Sequence, residues 1–305
     1  MFRSLIVPLD GSSFAEHALP WALSIARRTG AALNLAQVHT MALFYDSTDL
    51  PADATIREQE VANLQEVAKR LADLSPVRVN SALLDGPIPD ALHAHAKSVN
   101  ADLIVMTTHG RGALSRLWLG SVADRLVRRT PVPILLIRPK EGSSDIAQDP
   151  VLQRILVPLD GSALAEQILE PALALGSATK ADYLLVRVVD AFQTAGHDSY
   201  GFAISGLHPE ALKRLQAEAA AYLERIAESL RKQSLHVSTK TVIGSQPALA
   251  ILDEAGSSSI DVIAMETHGR GSFSRLFLGS VADKVLRGAS TPILIHSPAG
   301  MMREK

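Results

Sequence analysis

The residues best suited to hold a charged ligand lie in a glycine-rich stretch at residues 109–121, His-Gly-Arg-Gly-Ala-Leu-Ser-Arg-Leu-Trp-Leu-Gly-Ser. Glycines let the backbone approach a ligand closely, and the first amides of a helix that opens at Ser121 attract phosphate. Arg111 or Arg116 would add positive charge. Asp10 ends an earlier apolar run, where its carboxylate can accept hydrogen bonds from ribose hydroxyls. Together these residues predict a mononucleotide site.

Each of these features also has a purely structural interpretation. Ser121-x-x-Asp124 has the spacing of a capping box, and Asp10-Gly11 is typical of a strand-to-helix turn. The loop glycines fit ordinary turns, and the loop histidine either contacts a phosphate or only shapes the loop. These loop residues are Gly110, Gly112, Gly120 and His109. The residues by themselves leave both interpretations open.

The chain repeats one pattern twice. Ile-Val-Pro-Leu-Asp-Gly-Ser at 6–12 returns as Leu-Val-Pro-Leu-Asp-Gly-Ser at 156–162, shifted by 150 positions. Thr-His-Gly-Arg-Gly at 108–112 and Leu-Gly-Ser-Val-Ala-Asp at 119–124 return 159 positions later. Because the order is kept and the spacing nearly so, the sequence predicts two copies of one domain.

The expected boundaries follow from the repeats. The first domain spans 1–140 and the second 151–300, and the polar, proline-terminated segment 141–150 has the composition of a linker. The residues added in the second copy are expected around 191–206, where glycines indicate an irregular loop.

Apolar runs alternate with helical periodicity along each copy. In the first copy strands are expected at 4–9, 33–39, 77–84, 102–107 and 133–138, and helices at 13–26, 56–74, 88–99 and 122–129. Such alternation requires right-handed parallel crossovers and a sheet covered on both faces. The expected fold class is α/β, with two doubly wound five-stranded parallel-sheet domains of the Rossmann-like or flavodoxin-like type. Ligands of such sheets bind at the carboxyl ends of the strands.

Composition excludes several classes of site. The chain has no cysteine, which rules out disulfides, thiolate metal sites and cysteine nucleophiles. Thirty Lys+Arg face 32 Asp+Glu, so no basic field is available to hold nucleic acid or an anionic membrane. No apolar stretch approaches the roughly 18 residues of a membrane span, and no signal peptide is recognisable. A soluble, cytoplasmic protein is expected, without a metal site or a catalytic residue.

The sequence resembles the universal stress protein family over both copies. The resemblance rests on the 6–12 motif, on the spacing Gly110-x9-Gly120-Ser121, and on their counterparts in the second copy. It implies ATP, AMP or ADP, with or without magnesium, held by a Gly-x2-Gly-x9-Gly-Ser/Thr loop, an Asp closing strand one and a Val against the adenine. By this resemblance the site residues are Asp10, Val38, Gly110, Gly120 and Ser121, with Asp160, Val188, Gly269, Gly279 and Ser280 in the second copy. The flanking residues assigned with them are Pro8, Thr107, His109, Arg111, Gly112, Val122 and Gly271.

Both copies depart from the family loop at its first glycine. That position is Thr107 in the first copy and Glu266 in the second. The threonine adds a branched side chain but also a hydroxyl donor. A carboxylate about 6 Å from a phosphate costs roughly 2–3 kcal/mol per phosphate charge at an effective dielectric constant of about 20, unless it points away or holds a magnesium ion. We therefore expect nucleotide in the first copy rather than the second.

Three functions are compatible with these residues. The first is a stress-response protein whose bound nucleotide changes its conformation or its partners. For this first function, no Walker lysine, general base or metal-holding carboxylate pair is apparent, so any ATP hydrolysis should be slow. The second is an interaction protein with degenerate, empty sites. The third is an enzyme of the wider adenine-nucleotide α/β superfamily. It is the weakest, because the sequence has neither a His-x-Gly-His nor a Lys-Met-Ser-Lys-Ser motif, and strand one ends in Pro-Leu-Asp-Gly-Ser rather than Ser-Gly-Gly-x-Asp-Ser. By resemblance, strands 133–138 and 292–296 should pair within the chain as a pseudo-dimer, and a homodimer of two chains stays open.

Overall fold

A computed structural model describes residues 1–40, 50–108, 119–139, 142–189, 209–267 and 278–297. The contacts between residues divide the chain into two compact units, one centred on Met1–Val151 and the other on Leu152–Leu294. Each unit carries one copy of the repeated pattern.

The first unit is built on a parallel sheet in the order β3-β2-β1-β4-β5. Its central strands are buried on both faces, and all five residues of the fourth strand are buried. This burial explains their continuous apolar runs. The strands are β1 (Ser4–Leu9), β2 (Ala32–Val38), β3 (Val79–Leu84), β4 (Leu103–Thr107) and β5 (Ile134–Ile137).

Helices connect these strands. They are a short 3-10 helix (Ala15–Ala18), α1 (Leu19–Thr29), α2 (Leu50–Leu74), α3 (Ile88–Ser98) and α4 (Ser121–Arg129). The 3-10 helix begins where the Ser12 hydroxyl accepts a hydrogen bond from the Ala15 backbone N–H at 3.2 Å. The Ser12 side chain therefore stabilises the turn that leads into this helix. Gly30 ends α1 with φ at +74°, a left-handed conformation that glycine adopts without strain.

The second unit repeats the arrangement. Parallel strands follow the order β9-β6-β7-β8, and the Ile263 N–H in β9 donates to the Pro292 carbonyl just before β10, at 3.0 Å. The strands are β6 (Arg154–Pro158), β7 (Asp182–Val189), β8 (Val237–Ile243), β9 (Val262–Glu266) and β10 (Ile293–His296). The helices are α5 (Ala163–Glu166), α6 (Leu169–Ser177), α7 (Pro209–Arg231), α8 (Pro247–Ser257) and α9 (Ser280–Gly288).

The segment after the first domain packs against α1. The Arg28 guanidinium donates to both carboxylate oxygens of Asp149, at 2.7 and 2.8 Å, and the Ser24 hydroxyl donates to the Pro150 carbonyl at 2.6 Å. Ile146 is buried within the same segment. These contacts anchor residues whose composition suggested only a linker.

The expected α/β fold in two tandem domains is confirmed. The expected elements of the first copy are present, with two differences. The helix expected at 13–26 is divided into the 3-10 helix and α1, and α2 begins at Leu50, six residues before the position expected from periodicity. The expected insertion at 191–206 lies outside the described residues. The domain boundaries and the pairing of 133–138 with 292–296 stay predictions.

Candidate functional site

Asp10 follows β1 and organises the turn that leaves it. Its Oδ1 accepts hydrogen bonds from the backbone N–H and the hydroxyl of Ser12, at 3.0 and 2.6 Å. Gly11 between them has φ at +77°, which favours glycine. The interpretation of Asp10-Gly11 as part of a turn is therefore confirmed.

Asp10 also lines a cavity of about 440 Å³ at the carboxyl ends of β1, β2 and β4. A volume of this size suits a small organic ligand. The remaining walls come from the 3-10 helix, α2, α3 and the beginning of α4. The lining residues are Pro8, Leu9, Asp10, Ala15, Ala36, Gln37, Val38, Thr40, Glu60, Ile88, Leu92, Met106, Thr107, Thr108, Gly120, Ser121, Val122 and Ala123. We call this space the first-copy cavity.

The beginning of α4 forms one side of the first-copy cavity. Gly120 is the N-cap residue, its N–H donates to the Thr108 carbonyl at 2.8 Å, and no side chain caps the helix. The capping-box interpretation of Ser121 is therefore wrong, since Ser121 is already the first helical residue. The amides of a first helical turn have no partner within the helix, and the helix dipole places partial positive charge there. This side of the cavity suits an anion.

Apolar side chains from β2 and α3 line another part of the first-copy cavity. Ala36 and Val38 come from β2, and Ile88 and Leu92 come from α3, which contacts both β2 and α4. Because β1 lies between β2 and β4 in the sheet, Asp10 falls between the apolar side and the start of α4. The cavity thus presents an apolar wall, then a hydrogen-bond acceptor, then a helix N-terminus.

The structure brings together the described residues that the sequence assigned to the first copy. All seven line the same cavity: Pro8, Asp10, Val38, Thr107, Gly120, Ser121 and Val122. The other assigned residues, His109, Gly110, Arg111 and Gly112, lie outside the described part of the chain. Their contribution stays a prediction.

The second copy repeats several of these positions. Asp160 Oδ1 accepts from the Ser162 N–H at 2.9 Å and from its hydroxyl at 2.6 Å, and Gly279 caps α9 as Gly120 caps α4. Ser280 therefore begins its helix, and does not cap it. Val188 lies near the end of β7. Gly269 and Gly271 lie outside the described residues.

Glu266 distinguishes the second copy from the first. It ends β9 as Thr107 ends β4, and the two residues are almost equally buried, with 5% and 6% of their surface exposed. A carboxylate therefore replaces a hydroxyl at a buried position that in the first copy lines the cavity.

Sequence reasoning missed several residues of the first-copy cavity. Thr40 and Glu60 line it, and His39 between β2 and α2 contacts Glu60. His39 Nδ1 lies 2.6 Å from Glu60 Oε2, and Nε2 lies 2.9 Å from Asp53 Oδ1. The hydrogen bond with Glu60 raises the pKa of His39, burial lowers it, and the contact with Asp53 raises it, with a net upward shift. Asp53 lies 14 residues and Glu60 lies 21 residues after His39 in the sequence, so no local sequence pattern indicates these contacts.

Within the described ranges, no group of three or more His, Cys, Asp or Glu side chains is arranged to hold a metal ion. None of the helices in those ranges combines the length and apolar character needed to cross a membrane.

Comparison with known proteins agrees with the duplicated pattern. A sequence model of the universal stress protein family matches residues 1–138 and again 152–296. A universal stress protein of Mycobacterium tuberculosis is 26% identical over 301 residues, covering 96% of both chains. One from Thermus aquaticus is 33% identical over 138 residues, which are 45% of this chain and 100% of the relative. The crystal structure of a universal stress protein from Archaeoglobus fulgidus, 18% identical, covers 96% of both chains with a TM-score of 0.66.

Proposed function

The chain belongs to the universal stress protein family, and we propose that its first copy binds an adenine nucleotide in the first-copy cavity. The observation that carries this proposal is the order of chemical environments across the sheet. Val38 on β2, Asp10 after β1 and Ser121 at the start of α4 follow one another in the order of base, sugar and phosphate.

Each environment suits one part of the ligand. The apolar side chains from β2 and α3 offer a surface for a planar base. The Asp10 carboxylate accepts hydrogen bonds from ribose hydroxyls. The first amides of α4 and the Ser121 hydroxyl donate to phosphate oxygens, where the helix dipole favours negative charge. Val38, Asp10, Gly120 and Ser121 are the residues that would hold these three parts.

The nucleotide serves as a ligand in this proposal, and its presence changes the conformation or the partners of the protein. The described lining residues offer carboxylates at Asp10 and Glu60 but no lysine or arginine. Magnesium would therefore reach the site on the phosphates of ATP and lower the negative charge that enters it. Hydrolysis is expected to be slow.

Mass spectrometry of small molecules released on denaturation tests the proposal first. ATP, AMP and adenosine are then titrated into ligand-free protein by calorimetry, with and without magnesium. We expect an adenine nucleotide, bound more tightly than adenosine because the α4 amides contact phosphate. If nothing is released and nothing binds at any magnesium concentration, the protein is an interaction module without a nucleotide.

A further inference from the structure

A charged cluster around a buried histidine lies beside the first-copy cavity. It consists of His39, Asp53 and Glu60, and we call it the His39 cluster. The His39 side chain is only 5% exposed, and the two carboxylates, seven residues apart on α2, contact its two ring nitrogens at 2.9 and 2.6 Å. Glu60 also lines the cavity, as does Thr40, the neighbour of His39. The cluster therefore joins α2 to the end of β2 where β2 forms the cavity wall.

The geometry of the His39 cluster requires two protons on one ring. A neutral imidazole has one N–H donor and one acceptor nitrogen, whereas an ionised carboxylate only accepts. Two ionised carboxylates within hydrogen-bond distance of the two nitrogens are satisfied together only by the imidazolium form. When His39 loses a proton, one of the two contacts becomes lone pair against lone pair and must open.

The contact with Asp53 is the one expected to open. It is the longer of the two, and the Asp53 side chain is 30% exposed against 17% for Glu60, so water replaces the lost partner more easily. Asp53 lies in the first turn of α2. Deprotonation therefore releases the beginning of that helix from the end of β2.

Other charged groups surround the His39 cluster. Arg57 on α2 pairs with Asp85 just after β3, where both guanidinium nitrogens contact the carboxylate. The backbone N–H of His39 donates a hydrogen bond to the Leu84 carbonyl at 2.8 Å. The three carboxylates Asp53, Glu60 and Asp85 and the Arg57 guanidinium together carry a charge of −2. The local charge is therefore −1 while His39 is protonated and −2 after it loses its proton.

The second copy shows that the end of this strand and the facing helix can pack together without charged side chains. With the shifts of 150 on the strand and 159 on the helix, His39, Asp53 and Glu60 correspond to Val189, Leu212 and Ala219. All three counterparts are apolar, and Val189 and Ala219 are buried. A buried ion pair is often no more stabilising than apolar side chains of similar volume. The charges of the first copy therefore point to a role beyond packing.

We propose that His39 is a positioning residue of the first-copy cavity, whose protonated ring holds the beginning of α2 against the end of β2 and whose deprotonation releases it. The cavity wall at Val38 and Thr40 is thereby ordered at low pH and loosened at high pH. The upward shift in the pKa of His39 places this change above the ordinary range of histidine. The expected effect on nucleotide affinity rests on the proposed function, whereas the effect on α2 does not.

Amide hydrogen exchange of the full chain tests the proposal at about pH 5.5, below the ordinary pKa of histidine, and at about pH 9, well above it. In the wild type, protection factors over residues 54–60 should fall by about ten- to a hundredfold at the higher pH, the loss expected for one charge-assisted hydrogen bond. Asp53→Asn is the decisive variant. Its amide accepts from the charged ring and donates to the neutral one, so protection should not depend on pH.

Two controls keep the result interpretable. The triple variant His39→Val, Asp53→Leu, Glu60→Ala copies the second copy, should fold, and should also show pH-independent protection. His236, 85% exposed and 3.1 Å from Asp182, is a surface pair, and His236→Val should leave the response of α2 unchanged. Equal protection at both pH values in the wild type, or the same loss in Asp53→Asn, would overturn the proposal.

ATP affinity provides the second readout. It should weaken by about tenfold from the lower to the higher pH in the wild type relative to Asp53→Asn. The ATP phosphates titrate in the same way with both proteins, so their effect cancels when the wild type is compared with Asp53→Asn. A protection change without any ATP binding would support the His39 cluster and remove the proposed function. ATP binding with the same pH dependence in both proteins would overturn the role of His39 in the cavity.

Discussion

At the scale of single residues, Asp10 combines two tasks that the sequence presented as alternatives. It closes the turn after β1 through Ser12, and it lines the first-copy cavity between the apolar wall and α4. Asp160 makes the same two hydrogen bonds in the second copy. The second copy therefore provides a control, because the same two hydrogen bonds can be removed from either copy by replacing its aspartate.

Asp10→Ala should weaken binding of adenosine, AMP and ATP by a similar factor, since the ribose is common to all three. Asp160→Ala should cost a similar amount of stability, about 1–2 kcal/mol for two local hydrogen bonds, without changing affinity. Calorimetric titration and urea unfolding of both variants measure the two effects. Unchanged affinities in Asp10→Ala would leave Asp10 as a turn residue only.

Gly120 offers a second test at the same scale. Its backbone has φ −58° and ψ 148°, which any residue can adopt, so Gly120→Val should fold with an unchanged circular dichroism spectrum. The added side chain would stand at the N-cap beside Ser121 and exclude phosphate from the first amides of α4. We expect ATP affinity to fall at least about tenfold, more than adenosine affinity, because one phosphate-binding interaction is worth about 1.5–3 kcal/mol. Gly279→Val, at the equivalent N-cap, should leave this affinity unchanged.

At the scale of elements, the segment after β5 is held by α1 through Arg28 and Asp149. The hydrogen bond from Arg28 lowers the pKa of Asp149 from 3.8 to about 2, against the opposing effect of burial. A carboxyl group whose pKa is lower in the folded protein than in the unfolded chain stabilises the fold at pH values above the unfolded-state pKa. This stabilisation is lost as the pH falls towards the folded-state pKa. The Asp149 carboxylate is 44% exposed, so solvent limits the contribution to about 1 kcal/mol or less.

Asp149→Asn should therefore destabilise the first unit slightly at neutral pH, and the difference from wild type should shrink as the pH falls from 3.8 towards about 2. Urea unfolding at successive pH values measures this, down to the lowest pH at which both proteins stay folded. A double-mutant cycle with Arg28→Met isolates the pair. A difference that persists at low pH would show that Asp149 acts through packing rather than charge.

At the scale of the whole molecule, two copies of one fold carry different groups at equivalent positions. Thr107 lines the first-copy cavity, and Glu266 takes its place in the second copy, equally buried. We expect one nucleotide per chain. Glu266→Thr removes the carboxylate and copies the first site, so it should raise the stoichiometry to two, as measured by calorimetry or native mass spectrometry. Two nucleotides bound by the wild type would contradict this assignment of Glu266.

Much of the fold was predictable because its signals are local. The expected strand at 4–9 coincides with β1, and α1 ends at the left-handed Gly30, because apolar runs and such glycines act on their immediate neighbours. The start of α2 was not predictable. The residues before 56 lack a clear apolar face, and Asp53 among them contacts His39, 14 positions earlier in the chain.

Short patterns along the chain were enough to predict the duplication, the α/β class and the residues at the carboxyl ends of the strands. The assembled fold was needed to show that Ser121 lines a cavity and does not cap a helix, and that Glu60 and His39 lie beside this cavity. The difference comes from distance along the chain. A cavity is formed by residues from separate strands and helices, and their contacts exist only once the sheet has assembled.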